Sequence, residues 1–343
     1  MALKGTDSKY AILFTILILC SLKFNVGAQE SKTGLETSQT EYPNVVWVKN
    51  WPSNGNGTSK KLKDRLNNIV FGIKPRVLCN PVSVFATNVD EYWVLDQGGN
   101  TIFRVEEELG EIPQPVHKTD LPLSSLVGIC SGPNSSILFT DSKAAKIYGI
   151  LPGNKKLQIL NDNLTLDQPT GIAYSADRKE IWVVETKAHR IAILKENGDL
   201  IRRIGKRGNA PGEFNYPTHI WIDKKGFAYI TDALNFRIQV LDSEGRVLSV
   251  FGEAGDGSGF MARPKGIATD SFGNIYVVDA LFHAVQVFDI KGNFLYKFGN
   301  QGHADGEFWM PNGIFVDEKN YIYVADTYNS RVQIFQLIQP VNK

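Results

Sequence analysis

Acid and base recur at one spacing in this chain. Asp141 and Lys146, Glu185 and Arg190, Asp232 and Arg237, and Asp326 and Arg331 each stand five residues apart. A carboxylate beside a cation can move protons or steady a developing charge, so each pair is a chemical candidate. A catalytic centre is needed once, whereas this pair is written again and again. The pairs are therefore expected to be structural, fastening the end of one strand to its own sheet or the adjacent one through charge-assisted hydrogen bonds. Thr101 and Ala284 stand where two further copies would carry the base. Asp96 and Asp279 thus lack that partner and mark the places to look for another use.

Histidine is the commonest metal ligand. His117, His189, His219, His283 and His303 are scattered without metal-ligand spacing. His219 stands apart because related stretches carry glycine in its place, and Trp221 follows it on the same side of what would be a strand. Together with Asn312, in Pro311-Asn312-Gly313, these two are the candidates for holding a ligand. No residue is assigned a catalytic role, and no metal or cofactor is expected. The glycines from Gly205 to Gly306 do not form a phosphate loop, and no Cys-x-x-Cys-His is present.

The elements that position these residues form a repeat. Between Pro311 and Phe335, Ile314-Phe315-Val316 and Tyr321-Ile322-Tyr323-Val324-Ala325 read as half-buried strands around the polar turn Asp317-Glu318-Lys319-Asn320. Asp326 closes the second strand and Arg331-Val332-Gln333-Ile334-Phe335 opens a third. The strand-ending acid recurs at Asp96, Asp141, Glu185, Asp232, Asp279 and Asp326, a period of 44 to 47 residues. That spacing suits propeller blades of four strands, and six copies predict six blades. Gly245 to Gly252 and Gly292 to Gly299 supply fourth strands. The last copy lacks one before Lys343, so Asn44 to Trp51 is expected to complete the sixth blade and lock the ring. Phe214, Phe260 and Phe308 are expected to pack between blades.

The run from Phe251 to Phe335, with FG, GEF or a variant, P-x-G-I, Y-V-x-D and R-V-Q-x-F, resembles NHL repeats. The stretch from Val45 through Ile69-Val70-Phe71-Gly72 to Pro81 is similar to exported bacterial six-bladed propellers of this type that lack an assigned activity. The resemblance implies an all-β, six-bladed propeller of four-stranded antiparallel blades, closed by an N-terminal strand. It implies no activity, since propellers host unrelated functions. Peptide-amidating lyases resemble the chain in their repeats. Their histidine slots here hold Val82, Thr170, Thr218, Lys265, Asn312 and acids, so those roles do not carry over. Asn312 is similar to the asparagine of gluconolactonase-like calcium propellers, yet no matching glutamate or aspartate accompanies it.

Residues 1–28 read as an export signal, with Lys4 and Lys9 before an apolar run from Ala11 to Cys20 and small residues at Val26-Gly27-Ala28. An uncleaved anchor and a lipid attached at Cys20 stay open as alternatives. Cleavage removes Lys4, Lys9, Lys23 and Asp7, which turns 37 basic and 36 acidic residues into 34 and 35. A near-neutral chain offers no electrostatic footprint for nucleic acid. Residues 29–43 are expected to be a leader, 44–338 the propeller with an insertion at 52–78, and 339–343 a tail. Cys79 and Cys130 remain, their pairing open, with Cys130 expected as a buried thiol. The sequence thus points to an exported propeller that binds a protein partner or small ligand in the cell envelope or outside. The alternative is a metal-dependent propeller enzyme, lactonase-like or amidating-lyase-like. The connection from Arg104 to Leu126 departs furthest from the repeat and is the expected partner surface.

Overall fold

The computed structural model describes residues 44–52, 78–106, 123–152 and 156–338. The export signal, the leader, nearly all of the insertion, the tail and residues 107–122 lie outside them. Runs of alternating β-branched and aromatic residues become short antiparallel strands because each strand is covered on both faces. After β1 (Asn44–Trp51), the first blade holds β2 (Pro81–Asn88), β3 (Glu91–Asp96) and β4 (Thr101–Glu106). The second holds β5 (Leu126–Ser131), β6 (Ile137–Asp141), β7 (Lys146–Ile150) and β8 (Gln158–Ile159). The third holds β9 (Pro169–Ser175), β10 (Glu180–Glu185), β11 (Arg190–Lys195) and β12 (Leu200–Ile204). The fourth holds β13 (Pro217–Ile222), β14 (Ala228–Asp232), β15 (Arg237–Leu241) and β16 (Val247–Phe251). The fifth holds β17 (Pro264–Thr269), β18 (Ile275–Asp279), β19 (Ala284–Phe288) and β20 (Phe294–Phe298). The sixth holds β21 (Ile314–Val316), β22 (Tyr321–Asp326) and β23 (Arg331–Ile338).

The chain is a six-bladed β-propeller. Its innermost strands β2, β5, β9, β13, β17 and β21 each touch the next in order, and β21 touches β2. The ring is closed by β1, which pairs antiparallel with β23 from Asn44 opposite Ile338 to Trp51 opposite Val332, with a bulge between Trp47 and Lys49. The sixth sheet therefore reads β1-β23-β22-β21, and its outer edge comes from the far end of the chain. Trp51 continues past that edge, buried against Tyr92 and Phe103 of the first blade.

The core is divided among the blade interfaces. Each apolar cluster among the described residues fills one space between neighbouring blades, as Trp182, Ile191, Phe214, Ile220 and Ile230 do between the third and fourth. Hydroxyls and amides stitch the same interfaces nearer the axis. Ser142 Oγ donates to Pro169 O at 2.6 Å, Thr186 Oγ1 to Pro217 O at 2.7 Å, Thr231 Oγ1 to Lys265 O at 2.8 Å and Thr327 Oγ1 to Pro81 O at 2.7 Å. The backbone N–H of Gly266 donates to Asn312 O at 2.9 Å, and Gln97 Nε2 to Leu126 O at 3.1 Å. All six junctions thus carry a polar link into the start of the next innermost strand.

Phe214 and Phe308 are fully buried between blades, but Phe260 is 38% exposed. Met261 takes the interior position instead, beside Tyr229 and Phe288. The reason is register. The third residue before Pro217 and Pro311 is phenylalanine, and the third before Pro264 is Met261.

Candidate functional site in the central channel

Each innermost strand runs from a connector face, where the blades are joined, to a hairpin face, where its turn to the second strand lies. The residue two after each strand-leading proline or its equivalent forms a collar around the axis: Ser83, Gly128, Gly171, His219, Gly266 and Gly313, the last directly ahead of β21. A Cβ on Gly171 would sit 2.8 Å from His219 Cα, one on Gly266 2.7 Å from Asn312 O, and one on Gly313 2.6 Å from Val82 O. Glycine is required there because the next blade's backbone occupies that space. Ser83 and His219 interrupt the collar on opposite sides of the ring, three blades apart.

Above the collar the channel widens into a cavity of about 500 Å³ lined by all six innermost strands. Two residues further along each strand stand Phe85, Cys130, Ala173, Trp221, Ala268 and Phe315. Trp221 meets Phe315 edge to face at 5.4 Å, and Phe315 meets Phe85 at 5.0 Å. Trp221 Nε1 donates to Thr269 Oγ1 at 2.9 Å, which fixes the indole. Cys130, Ala173 and Gly171 leave open the space on the side of the second and third blades. Burial pushes the Cys130 thiol well above the ordinary thiol range. Cys79 and Cys130 are both free thiols.

At the floor of this cavity His219 Nδ1 lies 3.0 Å from Thr218 Oγ1, while Nε2 is buried without a hydrogen-bond partner. Burial, followed by the charge of Lys265, pushes the imidazole pKa down to about 3. The Asn312 side chain favours the charged ring, although it does not satisfy Nε2. Lys265 is itself pushed down to about 8, by burial first and then by the charge of Arg263. At the hairpin face the cavity reaches the turns that begin at Asp223, Asp270 and Asp317. Lys224 Nζ and Glu318 Oε1, 2.9 Å apart, join the turns of the fourth and sixth blades there.

Comparison with known proteins points to the same architecture. The DUF5128 family model, described as a 6-bladed beta-propeller, matches residues 160–245 and 264–341. No curated protein sequence matches the chain. Among solved structures, an auxiliary nutrient binding protein from Bacteroides thetaiotaomicron superimposes with a TM-score of 0.61 at 14% identity, covering 76% of this chain and 70% of that one. One of the same description from Bacteroides ovatus gives 0.60 at 16% identity, again over 76% and 70%. Virginiamycin B lyase from Staphylococcus aureus gives 0.55 at 16% identity over 76% and 95%. At such identities the likeness is one of fold. No helix among the described residues is long and apolar enough to cross a membrane.

In this propeller His219 and Trp221 both line the cavity, and Asn312 sits beside the His219 ring rather than in the cavity wall. The repeated acids lie away from it, at the connector face. Arg237 Nε and Arg331 Nε each donate to their acids, Asp232 and Asp326, at 2.8 Å, and Arg190 Nε to Glu185 at 2.8 Å. The same guanidinium of Arg331 reaches Ala304 O and Glu307 O in the connector, each at 2.8 Å. Lys146 departs from the expected pairing. It stands opposite Asp141 in the strand register, yet its ammonium lies 3.4 Å from Asp162, and Asp141 accepts the backbone N–H groups of Ser124, Ser125, Lys143 and Ala144. Asp96 and Asp279 likewise accept backbone amides, those of Cys79 and Asn80 and those of Ala262 and Arg263. In these two blades, which lack the base, backbone amides hold the acid.

Two features escape a reading of spacing. The buried glutamines Gln239, Gln286 and Gln333 clasp the connectors, as where Gln239 accepts Gly212 N at 2.9 Å and donates to Glu213 O at 2.7 Å. His189 and His283 accept Tyr216 N and Met310 N of the next blade through Nδ1 at 3.0 Å. Among the described residues no group of three or more His, Cys, Asp or Glu side chains is placed to hold a metal ion. Lys265, whose charge acts on the His219 ring although it does not line the cavity, was not singled out by spacing. Its only signal was a lysine where other copies have valine, threonine or asparagine.

Proposed function

We propose that this chain is an exported, NHL-type binding propeller whose central channel receives a small ligand without transforming it. The observation that carries the reading is a cavity of about 500 Å³ lined by all six innermost strands, with His219, Trp221 and Phe315 among its lining residues. Ligand sites are typically concave and mostly apolar with a few polar groups, which is the composition of this cavity. The fold likeness to nutrient binding proteins is consistent with this role. Export is supported by the composition of residues 1–28 and places the ligand outside the cytoplasm. A protein partner on the connector face, which exposes Tyr216, Leu234, Leu281, Trp309 and Tyr328, is compatible with it.

The test is native mass spectrometry of the full-length chain recovered from a small-molecule extract. One retained small molecule per chain, released when Trp221 or Phe315 is changed to alanine, is the expected result. Bound calcium or zinc with turnover of a lactone or ester panel would replace this reading with the enzymatic one. A stoichiometric protein from envelope extract, with the channel empty, would replace it with scaffolding.

A further inference from the structure

We propose that the channel takes an uncharged, planar aromatic molecule, seated between the wall of Phe85, Phe315 and Trp221 and the open side formed by Cys130 and Ala173. The inference rests on reading the channel as a ligand site and narrows it to one chemical class.

The cavity is lopsided. At the slot two residues beyond the collar, the large side chains come from the first, fourth and sixth blades, and Cys130 and Ala173 from the second and third. Trp221 leaves the fourth blade, donates to Thr269 of the fifth at 2.9 Å and meets Phe315 of the sixth at 5.4 Å. It thus spans the fifth blade, whose own slot holds the fully buried Ala268. Phe315 in turn meets Phe85 at 5.0 Å, so three rings make one continuous wall. The turns of the fourth, fifth and sixth blades are tied at the mouth: Lys224 Nζ lies 2.9 Å from Glu318 Oε1, and Ser271 N donates to Asn320 Oδ1 at 3.0 Å. On the other side the collar carries Gly128 and Gly171, without side chains, and the space beside them is open. Aromatic rings held at fixed angles favour a further ring over a saturated body of the same size.

The electrostatics select a neutral molecule. The lining acids Asp223, Asp270 and Asp317 each accept backbone amides of their own turn and a tyrosine hydroxyl, from Tyr229, Tyr276 and Tyr323 at 3.1, 3.0 and 3.1 Å. Glu318 is engaged by Lys224, and the Tyr174 hydroxyl donates to Glu196. These groups and Lys225 stand at the hairpin mouth. Deeper in, Cys130 and His219 are both held neutral, since burial pushes the thiol up and the imidazole down. A charged group carried to that depth would lose its hydration with no counter-charge among the described lining residues to meet it. A sugar would bury a row of hydroxyls against phenylalanine and alanine, at a similar penalty.

The full-length chain at neutral pH is titrated by calorimetry with 2-naphthamide, the charged 2-naphthoate, the saturated decahydronaphthalene-2-carboxamide and glucose. 2-Naphthamide is expected to bind at least about fivefold tighter than its saturated counterpart and at least about tenfold tighter than naphthoate. Phe315→Leu is expected to erase the preference for the planar amide and leave an apolar site. Ala173→Phe installs the residue that the first and sixth blades carry at the same slot, and is expected to abolish binding of both amides with an unchanged unfolding midpoint. Cys130→Phe, at that slot in the second blade, is a second blocking variant with the same expected result. Equal affinity for the planar and saturated amides, or tighter binding of glucose, overturns the aromatic class. Naphthoate binding as tightly as the amide overturns the uncharged one. Naphthamide binding that survives both blocking substitutions lies outside the channel and overturns the proposal. Binding of no probe overturns it too, and the wider binding reading falls with it only if the extract experiment also returns an empty channel.

Discussion

Lys265 carries a cost that the fold does not require. A lysine whose pKa falls from 10.5 to about 8 on folding binds its proton more weakly in the folded chain than in the unfolded one. Stability therefore rises with pH between about 8 and 10.5, and below 8 the whole penalty is present. Lys265→Met is expected to stabilise the protein at pH 7 by about 2–3 kcal/mol, a gain that fades as pH approaches 10.5. Urea unfolding of both forms at the two pH values checks this, and a loss of stability at pH 7 would show that the ammonium has a structural partner. The repeated arginines behave in the opposite way. Arg331 is buried with Asp326, and its removal strands a carboxylate, so Arg331→Ala should cost about 3–5 kcal/mol. Arg246 pairs with Asp242 at a similar distance but is 78% exposed, and Arg246→Ala should cost less than about 1 kcal/mol. The five-residue pairs divide by burial too, since the Arg331 side chain is 5% exposed and that of Arg190 35%, while Lys146 turns to Asp162 instead; spacing does not encode this.

At the scale of elements, the closing strand shows how far pattern reaches. The length and alternation of Asn44 to Trp51, set against a sixth copy lacking its outer strand, were enough to predict β1. The bulge at Trp47 to Lys49 and the reach of Trp51 into the first blade were not, because they depend on where two distant segments meet. Trp51→Ala is expected to cost about 3–5 kcal/mol, since it empties the seam between first and last blades. Differential scanning calorimetry measures it, and a cost under about 1 kcal/mol would mean that β1 is dispensable to closure. The connectors give a paired test. Met261→Ala should cost about 2–5 kcal/mol and Phe260→Ala within about 0.5 kcal/mol, because the methionine fills the seam and the phenylalanine faces solvent. An unaligned pattern of aromatics misplaced these two by one residue.

For the whole molecule, six interfaces share the core, and access to the channel is set at the hairpin face. The Lys224–Glu318 pair lies at that mouth between two largely exposed side chains, so it contributes little to stability. Glu318→Gln is expected to leave the unfolding midpoint almost unchanged while raising the association rate of a channel ligand. Stopped-flow titration of Trp221 emission measures the rate, and an unaltered one would mean that the pair does not gate the mouth. The sequence by itself determined the blade count, the strand pattern and the closing segment, because these follow from local alternation and from a period that any copy reveals. It also marked His219, which breaks a slot that most copies fill with glycine, Trp221, which follows it on the same side of the strand, and Asn312, through the resemblance of Pro311-Asn312-Gly313. Only the tertiary structure decided that Lys265 belongs with His219, that Nε2 is left unpaired, and that the repeated acids serve backbone amides. Charge, burial and partnership at the axis are set by residues from different blades, and in a ring those neighbours lie some 47 positions apart in the chain.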